Sequence, residues 1–496
     1  MAIRIIRFTV AALLLSTPFA GAQAPPTAPG AGQPAGNDPF PAPIAATEGV
    51  IRVSFTEFAT IPDVAGQPAR IMLLGPEPGG RRLFVNAMQG PLFSVSADPS
   101  TQRSGQVATV ALYLDINDPK WDVRVQSQGN ERGFQSFAFH PQFNQAGSRG
   151  FGKFYTYTDT TNMMPPPDFT AAGATAPPTH DTVLLEWTAK TPGAATYDGG
   201  APRELIRLRQ PFANHNAGQL AFNPNAAAGG PDFGLLYLGV ADGGSGGDPL
   251  KLSQNLGSAF GKIFRIDPLG TNSANKKYGI PAANPMLKTA GALPEIYAYG
   301  VRNPQRFAWD PRNGNMFLAD IGQNIVEELS LVTAGANLGW NDWEGSYQFI
   351  SRQAVGLDKP RSDPEVTYPV AEYGQLDPLL QGSSAATGVV VYRGTAIKQL
   401  ANLVLWGDNP SGEIFYLNAD KLPSGGQDAI RRVLLNHNGA AKTFLDVIKE
   451  KNAAQGKPVA TRADLRFGSG PDNQVFLLNK RDGIVRLLVP DAAAAR

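Results

Sequence analysis

Cysteine is missing from all 496 residues of the sequence, so no disulfide framework can form. An excess of charge of one sign is also missing, because 43 Lys and Arg residues face 42 Asp and Glu residues, which leaves a formal net charge of +1. No run of Lys or Arg residues occurs, whereas nucleic-acid binding requires a clustered basic surface. These absences argue against a nucleic-acid partner and favour a neutral or small one.

Long apolar runs are scarce. The run at the N-terminus, Phe8 to Leu15, follows Arg4 and Arg7 and is too short for a bilayer, which takes about 20 residues. Small residues between 20 and 24 offer A-x-A cleavage sites. The pattern predicts a signal peptide over residues 1–24 and a periplasmic or secreted protein, with a retained anchor as the alternative. No second apolar run of that length follows, so no membrane span is expected.

Apolar bulk is almost absent from Pro25 to Pro43, where the chain consists mainly of Pro, Ala and Gly. Such a segment buries too little surface to offset the entropy of ordering it. The composition predicts a linker over residues 25–46, a single domain over 47–490 and ordered structure from near Ile51.

Turn-forming residues are abundant, with 54 Gly and 42 Pro, and they separate short β-type runs. A unit of two such runs recurs six times. The units contain Ile71–Val95, Phe134–Asp159, Gly218–Asp242, Gln305–Ala319, Gly388–Asp408 and Ala463–Leu488. This repetition predicts an all-β, six-bladed propeller of four-stranded antiparallel blades, with a two-domain β-sandwich as the alternative. Two long inserts, Asp159 to Asp181 and Gly345 to Gly382, are expected on one rim.

Polar residues at the ends of these runs indicate where chemistry could occur. His215 precedes one run and Asp242 follows the next, and a His oriented by a carboxylate is the pairing of a general base. We expect the two side chains to lie within one water molecule of each other on the axial rim. The alternative is a loop His that is hydrogen-bonded to a turn.

A second polar stretch begins at Arg302 and Asn303, where a guanidinium and an amide could clamp an anion. The alternative is a turn that ties one blade to the next. The following loop, Asp320 to Asn324, is rich in oxygen atoms, and Glu327 lies nearby. Such a loop suits a hard cation such as Ca²⁺.

Several ordered motifs lie at 131–141, 215–220, 260–267, 299–305, 335–340, 387–394 and 407–412. Together they resemble the soluble glucose and sorbosone dehydrogenases that use pyrroloquinoline quinone, a family whose relatives include the propeller of hedgehog-interacting protein. This resemblance covers roughly Ile71 to Leu488. It implies a six-bladed propeller that binds the quinone over Ca²⁺ near its axis and oxidises an aldose or a related sugar, passing electrons to an external acceptor.

The resemblance also assigns roles to individual residues. His215 matches the general base and Asp242 the carboxylate that orients it. Arg302 and Asn303 match the quinone-binding pair, and Glu131 lies where a glucose enzyme of the family has Gln. Gly322 and Gln323 fall where backbone carbonyls hold the Ca²⁺ of the active site. Glu327, which lies near this loop, is a further candidate for the metal site.

Two departures from the family pattern concern cations. The loop Gly407 to Gly412 lacks the family's Lys, and the stretch Thr461 to Leu465 lacks the family's Arg pair at the matched positions, although Arg462 and Arg466 are close in sequence. Two functions therefore remain open. One is a quinone-dependent sugar dehydrogenase, and the other is a non-catalytic propeller that binds a sugar or protein ligand.

Overall fold

The computed structural model describes residues 38–96, 108–216 and 218–491. Short runs rich in Val, Leu, Ile, Phe and Tyr, bounded by Gly, Pro and Asp turns, form the strands. They assemble into six blades, each with four antiparallel strands, which confirms the predicted six-bladed propeller. The two-domain sandwich alternative is wrong.

The blades follow chain order. Blade 1 contains β2 (Ile71–Pro76), β3 (Leu83–Ala87), β4 (Pro91–Ser96) and β5 (Thr109–Asp115). Blade 2 contains β6 (Phe134–Phe139), β7 (Lys153–Thr160), β8 (Asp181–Thr188) and β9 (Arg203–Arg209). Blade 3 contains β10 (Leu220–Phe222), β11 (Leu236–Val240), β12 (Lys262–Ile266) and β13 (Ile296–Tyr299).

The second half repeats this plan with one insertion. Blade 4 contains β14 (Pro304–Trp309), β15 (Met316–Asp320), β16 (Val326–Val332) and β20 (Ala371–Gly374), with a small sheet of β17 (Trp343–Glu344), β18 (Tyr347–Ser351) and β19 (Ala354–Gly356) inserted before β20. Blade 5 contains β21 (Ala386–Tyr392), β22 (Leu403–Asp408), β23 (Ile414–Asn418) and β24 (Arg431–His437), with β25 (Ala440–Lys442) on its edge. Helix α1 (Phe444–Ala454) leads to blade 6, which contains β26 (Arg466–Ser469), β27 (Val475–Leu478), β28 (Ile484–Val489) and β1 (Ile51–Thr60). One-turn helices lie at Pro119–Trp121, Pro378–Leu380 and Lys398–Leu400.

Strand β1 closes the ring. It is first in the chain, yet it pairs antiparallel with β28 as the outer strand of the last blade. Its first residues also pair in parallel with β24, which joins blades 5 and 6. The pairing covers a strand edge that would otherwise be open, which is how propellers protect their sheets.

The hydrophobic core is a ring of apolar clusters between neighbouring blades. One cluster, for example, packs Tyr155 and Leu184 of blade 2 against Leu238 and Phe264 of blade 3. Equivalent clusters lie at the other blade-to-blade contacts. The blades are therefore held by packing between their faces.

The axis has two ends with different loops. We call the upper face the one where the innermost strands β2, β6, β10, β14, β21 and β26 begin, and the lower face the one where they end. Because strands alternate in direction, the loop after the second strand of each blade also lies on the upper face. The insert at Asp159–Asp181 is such a loop. The second insert begins on the lower face, where β16 ends, but its small sheet of β17, β18 and β19 lies on the upper face. There Arg352 O accepts a hydrogen bond from Asn324 Nδ2.

The packed chain begins earlier than the sequence suggested. Phe40 and Ile44, inside the predicted linker, are buried. Ile44 N donates to Asp377 Oδ2 over 2.7 Å, and Gln427 Nε2 donates to Ala42 O over 2.6 Å. The predicted signal peptide and the rest of the linker lie outside the described residues. Among the residues that are described, no helix is both long and apolar enough to cross a membrane.

Candidate active site

His215 and Asp242 meet on the upper face of blade 3. His215 precedes β10 and Asp242 follows the antiparallel neighbour β11, so both leave the sheet at the same end. The backbone of His215 has φ 56°, a left-handed conformation that few residues other than Gly adopt. Its N–H donates to Glu131 Oε2 over 2.6 Å, which ties this loop to blade 2.

The two side chains contact each other directly, with His215 Nδ1 at 2.6 Å from Asp242 Oδ1. Asp242 also accepts hydrogen bonds from Gly244 N at 2.9 Å and Trp340 Nε1 at 3.0 Å. Burial raises the pKa of Asp242, but the adjacent His215 and the Arg302 charge outweigh it and hold the pKa below its ordinary value. An ionised carboxylate only accepts hydrogen bonds, so Nδ1 of His215 carries the proton and Nε2 is the acceptor.

Arg302 covers this acceptor. Its Nη2 lies 3.1 Å from His215 Nε2, and its Nη1 donates to Ile321 O at 2.8 Å and Gly322 O at 2.7 Å. The guanidinium also lies 5.6 Å from the centre of the Trp340 ring. Arg302 is buried, and its Nε has no partner among the described residues. A base, a cation and an aromatic ring thus converge near the axis.

Asn303, the other member of the predicted clamp, lies in the same turn. The backbone N–H groups of Arg302 and Asn303 donate to Asp320 over 2.8 and 2.7 Å, which fixes the turn before β14. Gln305 Nε2 donates to Asn303 Oδ1 over 3.3 Å. Burial raises the pKa of Asp320 to about 6. The structure therefore places Arg302 against His215, with Asn303 next to it in the same turn.

The residues predicted to hold a metal lie in the loop after β15. Gln323 Oε1 accepts from Gly247 N at 2.6 Å and lies 3.4 Å from Arg302 Nη2. Together with the carbonyls of Ile321 and Gly322, this oxygen faces the positive charge of Arg302. The described part of the chain contains no cluster of three or more His, Cys, Asp or Glu residues suited to a metal. Any cation site here would depend mainly on backbone and amide oxygens.

Glu327 lies underneath this loop. Its Oε2 accepts from Gly322 N at 3.1 Å and Ala386 N at 2.7 Å, and its Oε1 accepts from Gln375 Nε2 at 2.5 Å. Burial raises its pKa well above the ordinary value. The contacts show Glu327 supporting the loop that carries Gly322, and a role as a metal ligand stays a prediction.

Two buried cations complete the upper end of the axis. Arg466 begins β26 and donates to Leu465 O over 2.8 Å, and Lys480 follows β27 and donates to Asn130 O over 2.7 Å. Burial, together with the neighbouring Arg466, lowers the pKa of Lys480 well below its ordinary value. The acid in this group, Asp464, is bound by Arg462 and Arg481. Arg466 also donates to Gln305 Oε1 over 3.4 Å, and neither Arg466 nor Lys480 has a hydrogen-bonded carboxylate among the described residues.

From the sequence, Arg466 was noted only because it lies close to the positions where the family's Arg pair is missing, and Lys480 was not predicted. A charged residue two positions after a buried strand was the available signal for Lys480, but its partner, Asn130 O, lies 350 residues earlier in the chain. Trp340 was quoted within a motif, and nothing local connected it with Asp242, 98 residues earlier in the chain.

The fold and the site together define a class of protein: a propeller with a His–carboxylate pair and several buried cations at one end of its axis. The model of the glucose / sorbosone dehydrogenase family matches residues 78–430. The chain belongs to this family.

Several curated proteins are similar to this chain at moderate sequence identity. HIPL1 protein of Arabidopsis thaliana is 30% identical over 358 residues, which are 66% of this chain and 49% of that protein. Hedgehog-interacting protein of Mus musculus is 30% identical over 235 residues, 47% of this chain and 29% of that protein. Aldose sugar dehydrogenase YliI of Escherichia coli is 27% identical over 218 residues, 43% of this chain and 51% of that protein. The matched region spans about half of HIPL1.

Among solved structures, the fold is similar to the quinone-bound form of an aldose sugar dehydrogenase from Streptomyces coelicolor. That structure has a TM-score of 0.54 and 19% identity and covers 90% of this chain and 99% of its own. At this identity the likeness shows the propeller fold.

Proposed function

We propose that this protein is a sugar dehydrogenase that oxidises a hydroxyl group of an aldose or related sugar with pyrroloquinoline quinone and Ca²⁺. The observation that carries the proposal is the His215–Asp242 pair, whose hydrogen bond leaves Nε2 as an acceptor beside the buried Arg302. Membership of the glucose / sorbosone dehydrogenase family supports the same reaction class. We also propose that electrons pass to an external acceptor and that the protein acts in the periplasm or outside the cell, which cell fractionation would test.

The side chains present fit the anionic quinone. Arg302 and Arg466 each have a buried Nε without a partner among the described residues, and Lys480 is buried with Arg466 as a neighbouring cation. Unpaired buried charges are costly, so an anion bound here would compensate the positive charges that lack a carboxylate partner in the protein. Arg302, Arg466 and Lys480 are the groups that would hold its carboxylates, in place of the family's Lys and Arg pair.

The oxygen atoms near Arg302 fit a hard cation. The carbonyls of Ile321 and Gly322 accept hydrogen bonds from the guanidinium, and Gln323 Oε1 lies 3.4 Å from it, so all three face a positive charge. Ca²⁺ takes backbone and amide carbonyl oxygens as ligands, and these three would be available to it once the guanidinium turns toward an anion. Gly322 and Gln323 are therefore the residues we propose to hold it, with Glu327 fixing the loop.

In the proposed reaction the protein binds the sugar and removes a proton. His215 Nε2 accepts the proton of the sugar hydroxyl once Arg302 turns from Nε2 toward an anion, and Asp242 stabilises the resulting imidazolium. The quinone, when bound, supplies the acceptor for the hydride that leaves the sugar carbon. Trp340 restrains the far oxygen of Asp242, and the near oxygen keeps the imidazole in the Nδ1–H tautomer.

The activity test is dye reduction by the purified protein with Ca²⁺, saturating quinone and a panel of aldoses and polyols. We expect activity with an aldose, and His215→Ala should lose at least about a hundredfold, the low end for a positioned base. The matched control is His437→Ala, because His437 lies on the outer strand β24 and is partly exposed. If no sugar reduces the dye, or if His215→Ala keeps full activity, the binding-module interpretation becomes the better one.

The cofactor test uses an absorbance titration with the quinone. Lys480→Met and Arg466→Gln should weaken quinone binding at least tenfold each, because each removes a cation from the site. Turnover at saturating quinone should change much less, since contacts made equally in the ground and transition states alter occupancy more than rate. Unchanged binding in both variants would contradict the assignment of these cations.

A further inference from the structure

A cavity opens at the lower end of the axis, on the opposite side from His215. Its volume is about 590 Å³, within the range of roughly 300–1,000 Å³ typical of small-molecule sites. The ends of the innermost strands of all six blades form its wall. Its aromatic lining includes Phe137, Phe139, Phe222, Phe307, Trp309 and Phe467. No function described above uses this cavity.

Arg306 forms the inner end of the cavity. It belongs to β14 of blade 4, yet its Nη2 crosses the axis to donate to Met72 O of blade 1 at 2.8 Å and Gln135 O of blade 2 at 3.2 Å. Its Nη1 donates to Gln305 O at 2.6 Å. The side chain thus separates the apolar cavity from the upper site.

The charge of Arg306 has no counter-ion among the residues that the structure describes. The residue is 2% exposed, and its hydrogen bonds among the described residues go to backbone carbonyls. A guanidinium has five N–H groups, and three are used here. Nε–H has no partner in the described part of the chain. Burial and the nearby Arg466 lower its pKa well below the ordinary value, which shows that the positive charge is poorly compensated.

We propose that the lower cavity binds an anionic amphiphile, a carboxylate with an aliphatic body. The carboxylate would lie at the inner end, where Arg306 lines the cavity, and would compensate its charge once a shift of the buried guanidinium exposes an N–H group, since a charge-assisted hydrogen bond in an apolar surrounding is strong. The aliphatic body would lie against the aromatic wall and bury apolar surface. This binding site is separate from the upper site and does not depend on the sugar dehydrogenase proposal.

The test is calorimetric titration with decanoate below its micelle concentration, and with decanol as a neutral ligand of the same chain length. We expect decanoate to bind at least tenfold more tightly than decanol. Arg306→Gln should remove this preference while decanol binding stays unchanged. Equal binding of the two ligands to the wild type, or no measurable binding of decanoate, would overturn the proposal.

A second variant keeps the test valid if Arg306→Gln does not fold. Ala226 lies in a turn at the mouth of the cavity and lines it, whereas its neighbour Ala227 is exposed and does not. Ala226→Trp should weaken decanoate binding at least tenfold, and Ala227→Trp should not change it. His215→Ala should bind decanoate as the wild type does. Equal effects of the two Trp variants, or a loss in His215→Ala, would place the ligand elsewhere and refute the assignment.

Discussion

Replacing Asp242 with Asn should destabilise the protein and change the tautomer of His215. All three partners of the carboxylate are N–H donors: His215 Nδ1, Gly244 N and Trp340 Nε1. An Asn amide has one oxygen and one NH₂ group, so at least one of these donors must face another donor. Hydrogen bonds to a charged group contribute roughly 1.5–3 kcal/mol, and we expect the free energy of unfolding to fall by about 2 kcal/mol.

The two orientations of the Asn have different consequences. With its NH₂ group toward His215, the imidazole must take the Nε2–H tautomer, which then opposes Arg302 Nη2 at 3.1 Å. With its oxygen toward His215, the NH₂ group opposes Trp340 Nε1. Adding Trp340→Phe removes this second conflict, so the double variant should recover the Nδ1–H tautomer and lose less stability than the sum of the single variants. The expected coupling is about 1–2 kcal/mol.

Urea unfolding of the four proteins measures the coupling, and long-range ¹H–¹⁵N spectra report the tautomer. The chain has only four His residues, so the signal of His215 can be assigned from a His215→Gln variant. The reasoning would be refuted by additive losses of stability. It would also be refuted if Asp242→Asn alone kept the Nδ1–H tautomer and stayed within about 0.5 kcal/mol of the wild type, the usual range for a surface change.

Three further predictions concern stability. Burial lowers the pKa of His140 to about 4. Because this His takes up its proton near pH 6.5 in the unfolded chain, the free energy of unfolding falls as the pH drops from about 6.5 to 4. His140→Asn should therefore lose about 3 kcal/mol less of its unfolding free energy between pH 7 and 4, measured by urea titration. A Cβ on Gly322 would lie 1.5 Å from Val326 O, so Gly322→Ala should lower the free energy of unfolding by at least about 3 kcal/mol. The control is Gly314→Ala, where a Cβ meets nothing within 4 Å and the expected loss is about 1 kcal/mol. Thermal unfolding compares the two variants. Thr443 caps α1 and its side chain accepts from Asp446 N, so Thr443→Ala should cost about 1 kcal/mol by the same measurement, and an unchanged midpoint would contradict the cap.

Local sequence patterns determined the architecture. Short apolar runs separated by Gly, Pro and Asp recur six times, and the strand alternation and turn preferences behind them act over a few residues. The same local signals located His215 before one strand and Arg302 before another. The linker boundary was misjudged because the burial of Phe40 and Ile44 depends on residues more than 300 positions away, among them Asp377.

Tertiary structure alone decided what these residues touch. Asp242 lies beside His215 because two antiparallel strands end together, and Trp340 reaches the pair because an insertion in blade 4 returns to the upper face. Lys480 joins the site because strand β1 closes the ring and brings blade 6 next to blade 1. Contacts across the axis join residues that are far apart in the chain, so the sequence periodicity within one blade cannot predict them. The clearest case is Arg306, which donates to the carbonyls of Met72 and Gln135.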